Sequence, residues 1–298
     1  MKSILLSELS PIEIQNYLQY AIAPRPICFA STIDKEGNVN LSPFSFFNLF
    51  SISPPICVFS PSRRVRDNTT KHTLENLHEV PECVINIVNY DIVQQTSLAS
   101  TEYPKGINEF DKAGFTALES NWVRPPRVAE SPVQMECIIK QIVPLGENAG
   151  AGNLVLAEIK AIHVNEGILD ENGKIDQAKI NLVARLGGDW YCHITEQNLF
   201  KIAKPIRSTG IGVDQIPAPI RNSVILSGNN LGQLGNIEKF PSMEEVLDMK
   251  NQDWVKDIFE NTNHDLAERE ELLHRRAKEF LFEGDVHTAW KVLLASLG

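Results

Sequence analysis

The sequence predicts a mainly β fold, a closed antiparallel barrel followed by a C-terminal irregular and α-helical extension. Apolar runs with strand character follow one another up to about residue 195, and few helix-like segments lie between them. A doubly wound parallel sheet would need a helix after nearly every strand. It would also usually contain Gly-x-Gly-x-x-Gly between a strand and a helix, which the glycine pairs near residues 146–152 and 210–212 do not complete.

The predicted elements of the barrel begin with a helix over roughly 11–20. Ser10 to Glu13 has the pattern of a capping box, with Pro11 at the first helical position. Short helices are expected at 73–78 and 91–100, and turns at 34–38 and 170–173 predict hairpins. The strand candidates are 25–33, 39–47, 56–60, 84–89, 134–143 and 154–164.

A change of character near residue 196 predicts the extension. Prolines and Asn/Gly-rich turns, including residues 228–232, indicate an irregular segment. Ser242 to Glu245 forms a second capping box, and helical spacing follows over about 243–261, 265–282 and 285–297. We therefore divide the chain into residues 1–195 and 196–298. Since so small an extension would form only a marginal core, we expect it to cover the barrel.

Composition excludes several classes of function. A hydrophobic content of 43% is ordinary for a globular protein, and a net charge of -10 disfavours nucleic acid and anionic membranes as partners. The chain has no long apolar run, so neither a signal peptide nor a membrane span is expected. Its five cysteines lack a Cys-x-x-Cys pair and predict buried free thiols in the cytoplasm. The seven histidines show no metal-ligand spacing, so no metal is expected.

A basic stretch between Ser60 and Asn76 reverses the charge of the chain locally. Residues 63–71 carry four cations and one anion, and threonines and an asparagine lie among them. Cations, hydroxyls and nearby backbone N–H groups suit a phosphate monoester, and a helix that opens at 70–73 would add a favourable dipole. The alternative is a solvated basic loop before a capped helix, which the charge pattern alone does not exclude.

A second stretch, residues 40–48, alternates small polar residues with aromatic residues and a proline. Such a segment can present polar groups and backbone amides to the edge of a flat ring, while the aromatic side chains pack behind it. The alternative is a plain β-strand with a solvated serine face. Neither stretch identifies a ligand alone.

Together the two stretches resemble the flavin reductase-like, FMN-binding split-barrel family, over about residues 15–195. His72 stands where that family usually has an aspartate. The matching motifs occur in the family's order, at residues 24–27, 40–48, 54–55, 71–73 with Asn76, 103–106 with 109–110, 131–132 with Cys137, and 184–188.

The resemblance implies a Greek-key split barrel that forms a homodimer, with FMN in a groove at the subunit interface. By position, the residues implied to line the isoalloxazine and ribityl chain are Asn40, Ser42, Pro43, Phe44, Ser45, Phe46 and Asn48. The residues implied to hold the phosphate and nearby ribityl oxygens are Arg64, Asn68, Thr69, Thr70, Lys71 and Thr73, with Ser97 and Ser100 as weaker candidates.

The implied function is an oxidoreductase in which NAD(P)H reduces bound FMN, which then passes electrons to a small-molecule or protein acceptor. Since the cofactor carries the redox chemistry, no catalytic side chain is named. The alternative is a non-catalytic FMN-binding or sensing module whose extension recognises a partner. Gly187 and Gly188 could approach the flavin, or could form a bulge beside packed aromatic residues.

Overall fold

The computed structural model describes residues 1–205 and 209–297, which fall into two units, Met1–Phe200 and Lys201–Gly298. The first unit contains the β-strands, and the second is built from helices. None of the helices in these described ranges has the length and apolar character needed to cross a membrane.

Helix α1, Pro11–Ala21, confirms the first predicted element. The Ser10 side chain accepts a hydrogen bond from the Glu13 N–H, and the Glu13 carboxylate accepts one from the Ser10 N–H at 2.9 Å. At the other end the Arg25 guanidinium donates to two carbonyl oxygens of the last turn, both at 2.6 Å, and to the Leu186 carbonyl at 2.8 Å. Arg25 therefore caps the helix and ties it to the chain near residue 186.

Seven antiparallel strands form one sheet in the order β2-β1-β5-β8-β9-β4-β3. The eleven strands that lie within the described residues are β1 Cys28–Ile33, β2 Val39–Phe44, β3 Phe47–Ile52, β4 Pro55–Phe59, β5 Glu82–Ile87, β6 Ala117–Leu118, β7 Arg127–Val128, β8 Val133–Pro144, β9 Asn153–Val164, β10 Val183–Arg185 and β11 Tyr191–His193. The pairs β6-β7 and β10-β11 form two small separate sheets. The first unit also contains α2 His72–Glu79, α3 Val93–Leu98 and α4 Glu109–Ala113.

The sheet is strongly curled, because its two edge strands are consecutive in the chain. Only Ser45 and Phe46 separate β2 from β3. A flat sheet of seven strands would place its edges about 29 Å apart, whereas three peptide links span at most ~11 Å. The edges therefore converge at this corner, as a split barrel requires. Hydrogen-bonded pairing of β2 with β3, which would close the barrel, is not found among the residues described.

The core of the first unit lies on both faces of β1, whose six residues are all buried. Cys28 and Ala30 belong to one apolar cluster, and Phe29 between them belongs to a second one. All five cysteines are free, and four of them are buried, as the sequence predicts. Burial raises the pKa of the Cys57 thiol to about 11, so this thiol stays protonated at neutral pH.

The sequence does not predict five strands and one helix of the first unit, namely β3, β6, β7, β10, β11 and α4. Residues 39–47 form β2, the corner and the first residue of β3 rather than a single strand, and α4 has no counterpart among the predicted elements. The alternating polar pattern continues through the corner, so periodicity alone does not reveal the break.

The second unit has a buried core of its own, although the sequence predicts an irregular segment in its first part. Its helices are α5 Ala218–Arg221, α6 Gly228–Gly235, α7 Met243–Lys250, α8 Asp253–Asn261, α9 Leu266–Phe282 and α10 Val286–Ser296. Fully buried Trp290, Leu273 and Leu234 lie in one cluster. The prediction of an irregular segment at 228–232 is wrong, since these residues begin α6.

The glycines of α6 are tolerated for identifiable reasons. Ser227 and Asn230 form a reciprocal capping box at the start of the helix, and Leu234 is fully buried. These contributions offset the roughly 1 kcal/mol that a glycine costs inside a helix. The expectation that residues 196–298 cover the barrel stays a prediction.

Candidate functional site

A small cleft in the first unit brings together polar side chains from four separate parts of the chain: strand β2, the 60–71 loop with the start of α2, the turn after α3, and α4. The residues that line it are Asn40, Ser42, Arg64, Lys71, His72, Thr73, Ala99, Ser100, Thr101, Glu102, Tyr103 and Glu109. Five of the predicted site residues, together with the weaker candidate Ser100, therefore meet in one place.

Strand β2 supplies the first side of the cleft. Asn40 and Ser42 are two residues apart and so project from the same face of the strand. The Asn40 amide donates to the Thr73 hydroxyl at 2.9 Å in a buried contact, which ties β2 to α2. The backbone N–H of Leu41 donates to the Glu109 carboxylate at 2.9 Å. This edge strand is thereby fixed from α4, and burial raises the pKa of Glu109.

Arg64 lies at the centre of the opposite side, and its side chain is only 16% exposed. Its Nη1 donates to the Thr69 hydroxyl at 2.9 Å and to the Thr70 carbonyl oxygen. Its Nε donates to the Glu102 carboxylate at 3.2 Å. The guanidinium thus holds the loop together while one edge of it faces the cleft.

Three predicted phosphate ligands are used inside this loop instead. Asn68 has a left-handed backbone, with φ 58°, and its side-chain oxygen accepts from the Arg63 guanidinium at 2.7 Å. The Thr69 hydroxyl donates to Asp67 at 2.6 Å, and the Thr70 hydroxyl donates to Glu75 at 2.7 Å. None of the three side chains lines the cleft. Asn68, Thr69 and Thr70 shape the loop, and direct contact with a phosphate stays a prediction.

Lys71 differs from every other cation of the loop because its ammonium group has no hydrogen bond or ion pair to any residue that the structure describes. The side chain is partly buried, and its nitrogen lies 5.9 Å from the centre of the Phe44 ring. Burial lowers the pKa of Lys71, the charge of Arg64 lowers it further, and the charge of Glu102 opposes this shift. A partly dehydrated cation beside a second cation is an arrangement that an anion would stabilise.

The rest of the 40–48 segment lies outside the cleft. Phe44 is buried against Phe59, with ring centres 5.5 Å apart, so its ring belongs to the core. Pro43 pairs with Phe29 across the sheet. Asn48 lies on β3, where its side chain accepts from the Leu49 N–H.

The remaining two residues of the segment, Ser45 and Phe46, form the corner between β2 and β3, and the Phe46 side chain is exposed. The cleft takes only Asn40 and Ser42 from this segment. Contacts of Pro43, Phe44, Ser45, Phe46 and Asn48 with an isoalloxazine stay predictions.

Sequence reasoning assigns no role to several titratable side chains of the cleft, Glu102 and His72 among them. Glu102 pairs with Arg64 although 38 positions separate them in the chain, and no motif marks it. His72 belongs to a recognised motif but was assigned no role. Burial lowers the pKa of His72; Glu75 opposes this shift, and the cations Arg64, Lys105 and Lys71 add to it. His72 is therefore neutral at physiological pH.

The structure also explains the glycine pair after β10. A Cβ atom at Gly187 would lie 2.3 Å from the ring of Tyr20. Gly187 therefore allows the chain to pack against an aromatic ring of α1, which favours the bulge over an approach to a flavin.

A family model described as flavin reductase like domain matches residues 20–179. The chain belongs to the flavin reductase-like family. The match includes every residue of the cleft and all seven strands of the main sheet. Residues 180–298, and with them the whole second unit, lie outside it.

Relatives and solved structures support this membership. An uncharacterised protein from Aquifex aeolicus is 38% identical over 170 residues, which are 57% of this chain and 84% of the relative. Nitrilotriacetate monooxygenase component B from Bacillus cereus is 29% identical, with a TM-score of 0.63 over 68% of this chain and 98% of its own. The 2-nitrobenzoate 2-nitroreductase NbaA from Pseudomonas fluorescens is 26% identical, with a TM-score of 0.61 over 70% and 100%.

A more distant structure shares the fold alone. An FMN-binding protein from Thermus thermophilus, solved with 1-cyclohex-2-enone, is 16% identical with a TM-score of 0.54 over 68% of this chain. Family membership, together with the likeness to the monooxygenase component and the nitroreductase, places the chain among flavin-dependent oxidoreductases.

Proposed function

We propose that this chain binds FMN in the cleft beside α2 and transfers electrons from NADH or NADPH, through the bound flavin, to a further acceptor. The observation that carries the proposal is Lys71, a partly buried cation without a partner among the described residues, next to Arg64 in a member of the flavin reductase-like family. The names of the similar structures, a monooxygenase component and a nitroreductase, support redox chemistry with varied acceptors.

The cleft suits the phosphate group of FMN. Arg64 and Lys71 supply positive charge, and the hydroxyls of Ser42 and Thr101 can donate to phosphate oxygens, whereas the Ser100 hydroxyl already donates to the Ser97 carbonyl oxygen at 2.6 Å. Helix α2 begins at the cleft, and no side chain caps its N-terminus. Its first N–H groups and its dipole therefore favour an anion at this place.

The side chains of the cleft and the bound cofactor would have different roles. Bound FMN would supply the capacity to accept a hydride from a nicotinamide and to release electrons. Arg64 and Lys71 would neutralise the phosphate, while Asn40 and Ser42 would orient the adjoining ribityl chain from β2. Thr73 and Glu109 act indirectly, because Thr73 ties α2 to β2 and Glu109 ties α4 to β2.

We propose further that the first unit pairs with a second copy of the chain. Helix α1 has no buried residue and exposes Tyr17 and Tyr20, and Ile22, which follows its last residue, is exposed as well. The edge strand β3 exposes Phe50 and Ile52, each by at least 70%. Exposed apolar side chains favour association with another chain, and a strand at the edge of a sheet has unpaired backbone groups that can hydrogen-bond to a second strand. Sedimentation of the holoprotein is expected to show a dimer of 33.3 kDa chains; a monomer with full flavin occupancy would contradict the shared site.

Anaerobic reduction tests the activity itself. The protein loaded with FMN is expected to lose its visible flavin absorption rapidly when NADH or NADPH is added without air, and to regain it with oxygen. A flavin band that persists with both nucleotides would favour the alternative, a binding or sensing module. A chain that acquires no flavin band after FMN is added would overturn both functions.

A further inference from the structure

We propose that Glu102 competes with the flavin phosphate for Arg64 and thereby makes the flavin exchangeable rather than permanently held. The proposal rests on the proposed function, because it assumes that the phosphate enters the cleft beside α2. It concerns a carboxylate that no motif of the sequence marks.

Glu102 is bound by two arginines at the rim of the cleft. One carboxylate oxygen accepts from the Arg64 Nε at 3.2 Å, and the other accepts from the Arg66 Nη2 at 2.9 Å. The Arg64 side chain is 16% exposed, that of Glu102 44%, and that of Arg66 75%. Glu102 therefore bridges a guanidinium of the cleft and one in solvent.

In the folded chain, carboxylates from other segments balance the excess positive charge that the sequence predicts here. Residues 63–71 carry a net +3 in the sequence. The charged residues that line the cleft are Arg64, Lys71, Glu102 and Glu109, and with His72 neutral their charges cancel. Glu109 is committed to the Leu41 N–H. Glu102 is the remaining anion of the lining, and it faces the cation that a phosphate needs.

A phosphate monoester carries close to two negative charges at neutral pH. The Arg64 Nη1 is already used by Thr69 and Thr70, and its Nε by Glu102. A phosphate can take Nη2, which has no acceptor among the described residues, and it must then share the guanidinium with the Glu102 carboxylate or displace it. Sharing places like charges side by side, which is unfavourable even after solvent screening. The phosphate must therefore displace Glu102 or tolerate its repulsion.

Arg66 gives the displaced carboxylate an alternative partner. Because Glu102 already pairs with Arg66, it can leave Arg64 without losing every ionic contact. The exchange between Glu102 and phosphate at Arg64 thus costs less than breaking an isolated pair would. The expected result is moderate affinity and rapid dissociation, the properties of a flavin that acts as a diffusible substrate.

The test compares Glu102→Gln with the wild type in titrations with FMN and with riboflavin. The variant keeps the shape of the side chain and one of its two acceptor oxygens but removes its charge. FMN is expected to bind about three- to tenfold more tightly to the variant and to dissociate more slowly, since one screened like charge has been removed. Riboflavin has no phosphate, so its affinity is expected to stay the same, which also shows that the variant is folded.

Glu171→Gln, in the exposed hairpin turn, is the matched control, because it changes the net charge equally and is expected to leave both affinities unchanged. Inorganic phosphate alone is expected to bind the flavin-free Glu102→Gln more tightly than the flavin-free wild type, because the same like charge is absent. FMN affinity that is unchanged or weaker in Glu102→Gln would overturn the proposal and make Glu102 a support for Arg64. Failure of all three proteins to bind FMN would instead overturn the proposed function.

Discussion

The two units of the chain differ in whether the polar side chains named here, which are buried or partly buried, have hydrogen-bond partners. In the second unit, the Trp290 Nε1 donates to the Leu234 carbonyl at 3.0 Å, and buried His274 lies 2.8 Å from the Ser223 hydroxyl. In the first unit, Lys71 is held partly buried beside Arg64 without a partner among the described residues. A buried polar group is costly unless it is paired. An anion bound beside Lys71 would supply the partner that this cation lacks, whereas Trp290 and His274 already have theirs.

The largest expected effect tests the structural side of this comparison. Trp290→Ala should destabilise the second unit by about 3–5 kcal/mol, because it leaves a cavity and removes a buried hydrogen bond. Chemical denaturation monitored by helical circular dichroism measures the loss. Phe282→Ala is the control, since that side chain is 95% exposed. Equal stability of the two variants would show that the second unit has no cooperative core around Trp290.

The next effect tests the ligand-binding side. Lys71→Ala and Arg64→Ala should each weaken FMN binding about tenfold to a hundredfold, since a charge-assisted hydrogen bond contributes roughly 1.5–3 kcal/mol. Riboflavin should bind the wild type more weakly than FMN does and be nearly indifferent to both substitutions. Fluorescence titration measures the affinities, and exposed Lys174→Ala serves as the charge control. If riboflavin and FMN bound the wild type equally well, the basic loop would be only a solvated face.

The smallest expected effect is a dependence of the stability of the second unit on pH, through His274. Burial lowers the pKa of His274, and the charge of Glu270 opposes this shift. The unfolded chain therefore takes up this proton first as the pH falls below about 6.5. The stability that neutral His274 contributes is fully present above that pH and declines below it, by at most about 1.4 kcal/mol per pH unit.

His274→Gln provides the measurement for this pH effect. The difference in unfolding free energy between the wild type and this variant should shrink between about pH 6.5 and 5. His264→Gln, at an exposed position, should leave the wild-type pH dependence in place. A difference that stayed constant over this range would show that His274 does not titrate on unfolding.

How far the site could be predicted depended on the kind of residue. Lys71, Thr73, Asn40 and Ser42 lie in short motifs, so the sequence alone pointed to them, and the cleft contains all four. Asn68, Thr69 and Thr70 belong to the same motif, but their hydrogen bonds are made within the loop. A sequence motif shows which polar groups lie near one another along the chain. It does not show which of them already have hydrogen-bond partners within the loop.

The sequence by itself determined the elements: the capped helix α1, the strands of the main sheet apart from β3, the helices after Ser242 and the group of basic and polar residues near Lys71. These follow from local periodicity, caps and charge, which act over a few residues. Only the tertiary structure decided that the edges of the sheet converge at Ser45, that Gly228–Gly235 is a helix, and that Glu102 faces Arg64. Such outcomes depend on burial and on pairing between distant residues, because a carboxylate changes the charge of a site only once folding brings it there.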